Sequence, residues 1–108
     1  MTVAPAAGGG RGRGRGERTC DRLRPVEIAA FQQLMEDLYG EHDRERGLPS
    51  TVAWLCEETG ELAQAVRKGT VAEQLHELGD VLAWLASLAN QLGLSLEDAA
   101  RRYVDDPP

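Results

Sequence analysis

The sequence predicts an all-α fold, an antiparallel bundle of about four helices completed by oligomerisation, and three observations lead to it. Apolar residues recur with the helical period from Val26 onward, Gly and Pro fall between the periodic segments, and no stretch shows the two-residue alternation of a half-buried strand. A foldable chain of about 80 residues buries only roughly 60–65% of its unfolded surface, so a single copy is marginal and a second copy would help it.

The elements follow in order. Residues 1–24 have almost nothing to bury and are expected to be a disordered Gly/Arg-rich tail, leaving 25–106 as the domain. Pro25 suits a first helical turn, and Val26, Ala29, Ala30, Leu34 and Leu38 form a helical stripe, which predicts a first helix from about 25 to the low forties. Glu41 to Pro49 is charged and holds Gly47 and Pro49, so it reads as a loop, with Ser50 capping a second helix over about 51–68. Gly69 closes that helix, and Thr70-x-x-Glu73 is a capping box for a third, running to about Gln91 before Gly93. Ser95-x-x-Asp98 opens a short fourth helix to about Tyr103.

Charge and cysteine content narrow the function. Residues 1–24 carry six Arg against Glu17 and Asp21, a net of +4, so the rest of the chain carries −10 of a total of −6. An acidic body argues against binding a phosphate backbone, unless metal ions invert the local potential. Only the Gly-Arg run from Gly8 to Gly16 offers weak nucleic-acid binding, and a solubilising extension is the simpler reading of it. Cys20 and Cys56 fit neither a metal spacing nor a disulfide framework, and Cys56 reads as a small buried hydrophobe. With no secretory signal and no run of 18 apolar residues, the expectation is a cytoplasmic protein without a membrane partner.

The chemistry lies in two carboxylate clusters, Glu57-Glu58-x-x-Glu61 and Glu77-x-x-Asp80. Glu57 and Glu61 oppose each other with like charge at helical spacing, and the residues four after Glu58, Glu61, Glu77 and Asp80 are Leu62, Ala65, Val81 and Trp84, none of which neutralises an acid. Glu-Glu-x-x-Glu alone would be a solvated helix face. The second cluster shifts the balance to a divalent-cation site, whose oxygen ligands suit Mg2+, with Mn2+ also acceptable. On a helical wheel Glu57, Glu58, Glu61 and Trp54 share an arc of about 100°, and Glu73, Glu77, Asp80 and Trp84 share one on the next helix. Val52, Leu55, Leu62 and Val66, and Leu75, Leu78, Leu82, Leu85 and Ala89, gather on the other sides, which predicts that the acidic faces are not the main core faces. Gly60 and Gly79 sit between carboxylates inside the helices and suggest close helix approach or a local irregularity. Each Trp can pack against a helix or stack on a base. Glu73-x-x-His76 has the spacing of di-iron bundles, but a second such motif is missing, so His76 reads as a neighbour of the site.

The segments Trp54-Leu-Cys-Glu-Glu-Thr-Gly-Glu-Leu-Ala-Gln-Ala-Val and Glu77-Leu-Gly-Asp-Val-Leu-Ala-Trp-Leu resemble the MazG-like nucleotide pyrophosphohydrolases of the all-α NTP pyrophosphatase superfamily, over roughly residues 26–104. The resemblance implies a dimeric or tetrameric enzyme that hydrolyses nucleoside triphosphates to monophosphate and pyrophosphate. It also implies Glu58, Glu61, Glu77 and Asp80 as Mg2+ ligands, with Glu57 in the outer shell or in water activation. Relatives commonly place Lys, Asn and Arg after the third helix to hold phosphates, whereas here only Arg101, Arg102 and Tyr103 precede the acidic, proline-ended terminus. Arg67 and Lys68 are substitutes, or simply cations complementing a helix C-terminus. The expected function is thus Mg2+-dependent nucleotide-pool house-cleaning. The alternatives are a phosphoribosyl-ATP pyrophosphatase-like enzyme and a non-catalytic, metal-stabilised dimerisation or regulatory module.

Overall fold

The structure, a computed structural model, describes residues 24–108. The tail expected over 1–24 lies outside the described residues except for Arg24. Four helices make up the described chain: α1 (Ile28–Arg46), α2 (Leu48–Lys68), α3 (Val71–Leu92) and α4 (Leu96–Asp105), with no strand among the described residues. None of the helices is long and apolar enough to cross a membrane.

The expected loop over 41–49 is instead helix. α1 runs on to Arg46, Gly47 alone breaks the chain with φ of 89°, and α2 begins at Leu48 with Pro49 in its first turn. That φ lies where residues with a Cβ are strained, so one glycine suffices as the hinge and Ser50 caps nothing. The charged string read as loop is held helical because Asp43 and Arg46 turn inward. α1 also starts later than expected, at Ile28 rather than Pro25.

The later boundaries behave as read. The Thr70 hydroxyl accepts from the Glu73 N–H at 3.2 Å, and the Ser95 hydroxyl from the Asp98 N–H at 3.1 Å. Gly69 closes α2, its N–H donating to the Ala65 carbonyl at 2.8 Å. A Cβ there would stand 2.8 Å from that same carbonyl oxygen.

α2 and α3 form an antiparallel pair. Trp54 meets Trp84, Glu61 meets Glu77, and the Gln74 amide donates to the Ala65 carbonyl, a register that falls on α3 as it rises on α2. α1 lies across α3, with Gln32 bonded to Asn90 (2.9 Å) near one end and the Gln91 amide donating to the Asp43 carbonyl (2.7 Å) towards the other. Gln32 also accepts from the N–H of Leu96 at 2.9 Å, which fixes the start of α4.

The core corrects the wheel reading. Met35, Ala65, Trp84, Ala86 and Ala89 are buried, together with the polar Asp43, Thr51, Glu58 and Ser87. The carboxylate and tryptophan faces are therefore the ones turned inward, between α2 and α3. The leucine side of α3 points out: Leu75 is 71% exposed, and Leu78, Leu82 and Leu85 are also exposed, as are Val52 and Val66 of α2. Ala89, assigned to that side, is buried, as its position beside α1 allows. Cys56 is exposed rather than buried because it lies on the outer face of α2. Gly60 and Gly79 do not mark close approach within the chain, since a Cβ on either would meet nothing within 4 Å.

Candidate metal centre between α2 and α3

Helical spacing puts Thr51, Trp54, Glu58, Glu61 and Ala65 on one stripe of α2, and Glu77, Asp80 and Trp84 on the facing stripe of α3. Packing the two stripes together brings carboxylate oxygens of Glu58, Glu61 and Glu77 within 4.8 Å of one another. His76, Glu77 and Asp80 form an adjoining group on the same criterion, with Nε2 of His76 3.2 Å from Oδ2 of Asp80. Glu77 belongs to both, so the two pairs read from the sequence meet as one cluster with His76 at its rim.

Glu58 is fully buried, at 0% exposure. Both of its oxygens, and Oε2 of Glu77, are buried with no N–H donor. Burial first, then the negative charges of Glu61 and Asp80, then hydrogen bonding with Glu61 and Glu77, push the Glu58 carboxyl up to about 8. Carboxylate oxygens converging around a buried position, with a histidine at the edge, are the donor set a hard divalent cation takes once the carboxyls are ionised. The residues present fit Mg2+ or Mn2+.

The remaining candidates spread around this centre. Glu57 is exposed at the flank of the stripe, four residues before Glu61, and belongs to neither group. Trp54 and Trp84 stack with centroids 5.7 Å apart and planes 8° from parallel. Trp84 is 1% exposed, and the Arg46 guanidinium lies 4.8 Å from its ring centre. At the other end of the carboxylates a cleft of about 350 Å³ is lined by Glu61, Glu77, Glu73, Gly69 and Lys68, so Lys68 faces the space beside the cluster. Arg67 is exposed in the last turn of α2. Arg101 is exposed on α4, paired with Glu97 at 3.3 Å.

Two residues of the site escaped the sequence. Asp43 is buried and holds Arg46 through Oδ1 at 2.9 Å, which positions Arg46 against Trp84. An Asp-x-x-Arg pair inside Glu41–Arg46 reads like any solvated helix surface, and only the continuation of α1 past Gly40 would have signalled it.

Two comparisons bear on this geometry. The family model described as the MazG nucleotide pyrophosphohydrolase domain matches residues 46–105. The chain is also 33% identical over 97 residues, 74% of its length and 92% of the relative's, to the "Uncharacterized protein YvdC" of Bacillus subtilis (strain 168).

Proposed function

Since the chain belongs to the MazG nucleotide pyrophosphohydrolase family, we propose that it is a cytoplasmic homodimer or homotetramer that hydrolyses nucleoside triphosphates to monophosphate and pyrophosphate with Mg2+, clearing unwanted nucleotides. The observation that carries this reading is the convergence of carboxylate oxygens of Glu58, Glu61 and Glu77 within 4.8 Å of one another around the fully buried Glu58, with Asp80 in the adjoining group that shares Glu77.

In this reading Glu58, Glu61, Glu77 and Asp80 hold the cation, which would offset the triphosphate charge and polarise the α-phosphorus. The protein's own groups do the rest. Glu58, buried and short of charge neutralisation, binds most tightly when ionised, so it anchors the site only with the cation present. Glu57, exposed beside it, is the carboxylate free to accept a proton from the attacking water. Lys68 lines the cleft next to Glu61 and Glu77, where the departing pyrophosphate needs a cation, and Arg67 adds positive potential at the same helix end. Trp54, the less buried of the stacked pair, offers apolar surface to a base, and Trp84 supports it from behind. Arg101 reaches phosphate only by leaving Glu97.

Incubation of the purified chain with a panel of canonical and modified nucleoside triphosphates and Mg2+ tests the proposal. Pyrophosphate and monophosphate are expected from at least one nucleotide, and Glu61→Ala or Asp80→Ala is expected to abolish their release. No turnover of any nucleotide, combined with a metal-dependent melting temperature, would instead make the cluster a structural metal site.

A further inference from the structure

His76 and Asp80 lie four residues apart on α3, so one turn of the helix brings the imidazole beside the carboxylate. Their contact is not a hydrogen bond. Nε2 of His76 stands 3.2 Å from Oδ2 of Asp80, yet Oδ2 is buried and accepts no N–H, that of His76 included. Two neighbouring donors of one metal ion, each about 2.0–2.2 Å from it, stand roughly 2.9–3.5 Å apart. The pair therefore has the spacing of two ligands of a common ion. A third donor is at hand, since one ligand atom each of His76, Glu77 and Asp80 all lie within 4.8 Å of one another. The other histidine of the chain gives the contrast. His42 is 3.9 Å from Glu45, both are exposed, and among the described residues it belongs to no such group.

Glu77 also stands within the same limit of Glu58 and Glu61, so two groups of three donors share one carboxylate. Glu58, in the inner group, is fully buried with no N–H donor on either oxygen. Charge then decides how many ions the cluster needs. Ionised, Glu58, Glu61, Glu77 and Asp80 carry four negative charges, so one divalent cation leaves two uncompensated beside a fully buried carboxylate, and a second leaves none. The two positions differ in chemistry. Glu58, Glu61 and Glu77 offer oxygen alone, which suits Mg2+, whereas His76 adds an imidazole nitrogen, the ligand that suits Zn2+, Ni2+ and their neighbours. The His76 side chain is 57% exposed and that of Asp80 14%, so an ion between them lies at the rim, with coordination positions open to water.

We propose that His76, Glu77 and Asp80 hold a second divalent cation at the rim of the carboxylate cluster, joined to the first through Glu77, and that the imidazole makes this position select a transition metal over Mg2+. The inference rests on the reading of the cluster as a metal centre and not on the reaction proposed for it.

Titration of the metal-free full chain with Co2+ and, separately, with Mg2+ tests it, followed by calorimetry and by the visible absorption of Co2+. About two equivalents of Co2+ per chain are expected to bind to the wild type and about one to His76→Ala, with Mg2+ affinity within roughly twofold in the two proteins. His76→Gln, which keeps a polar side chain but has no ring nitrogen, should lose the same equivalent. Proton NMR of the Co2+-loaded chain reads the ligand itself. A coordinated imidazole keeps one exchangeable N–H, which the paramagnetic ion shifts far from its ordinary position. That signal should be present in the wild type and in His42→Ala and absent in His76→Ala. Equal Co2+ stoichiometry in the wild type and both His76 variants, or a shifted signal that is missing from the wild type or is lost with His42, would overturn the inference. His76 would then be a surface partner of Asp80, with the all-carboxylate centre left standing. Binding of no metal by the wild type would overturn the metal-centre reading and this inference together. Pyrophosphate release with Mg2+, measured on the same samples, shows separately whether the hydrolase reading fails.

Discussion

A carboxyl group that folding withdraws from water gives up its charge unless a cation replaces the solvent, and Glu58 is in that position. With its carboxyl pushed up to about 8 from an ordinary 4.5, the folded chain holds a proton that the unfolded chain releases. The stabilising contribution of that proton is complete below about 4.5 and is lost as pH rises through about 8. In the presence of a chelator, the melting temperature should therefore fall over this range. Added Mg2+ should raise it most at the alkaline end, where the ionised carboxylate favours the cation. Melting curves with and without Mg2+ from about pH 5 to about pH 9 check both slopes. Glu58→Gln keeps the shape and removes the charge. It should raise the metal-free melting temperature near pH 8, flatten its pH dependence, and lower kcat by on the order of a hundredfold or more. The carboxylates were legible because like charges recur at helical spacing without cations in register. Asp43 and Arg46 were not, because an opposite-charge pair three residues apart looks the same whether it faces water or a tryptophan.

At the scale of the helices, caps and breakers were the reliable signals. Thr70 and Ser95 cap as their spacing said, because a hydroxyl ahead of a helix satisfies a backbone N–H in any context. Thr70→Ala should cost about 1 kcal/mol, measured by denaturant unfolding. The 41–49 segment misled because charge and a proline suggest a loop, yet proline is tolerated in the first turn of a helix and one glycine makes the turn. The inward face misled for a different reason. Hydrophobicity ranks leucines above carboxylates for burial, but in this chain the stripe of carboxylates and tryptophans takes the inward side and leaves the leucines outside. Gly60 and Gly79 separate two explanations. A Cβ on either meets nothing in the chain, so Gly60→Ala or Gly79→Ala should stabilise by about 0.5–1 kcal/mol through helix propensity. Destabilisation by either would locate a partner chain at that glycine.

At the scale of the whole molecule, the described residues leave a row of large apolar side chains in water. Leu75, Leu78, Leu82 and Leu85 form an exposed row at helical spacing on α3, and Val52 and Val66 are exposed on α2. Full burial of an exposed Leu or Val is worth roughly 1.5–3 kcal/mol, and covering the parts of these side chains still in water gains a share of that for each, which supports the proposed homo-oligomer. Leu78→Glu should lower the sedimenting mass to that of a single 11.8 kDa chain, and should lower the melting temperature with it. An unchanged sedimenting mass would place the interface elsewhere. The all-α class was readable because period and punctuation agree along the whole domain. The assembly was readable only as a need, since a sequence shows that a face is apolar but not what covers it.

The central claim is that the cluster of Glu58, Glu61, Glu77 and Asp80 works on the α-phosphorus of a nucleoside triphosphate. Phosphorus NMR of the products formed with Mg2+ tests this most directly, because it shows which anhydride bond has broken. Equal amounts of pyrophosphate and nucleoside monophosphate, both lost in Asp80→Ala, are predicted. Orthophosphate with nucleoside diphosphate, or products that persist undiminished in Asp80→Ala, would contradict the claim.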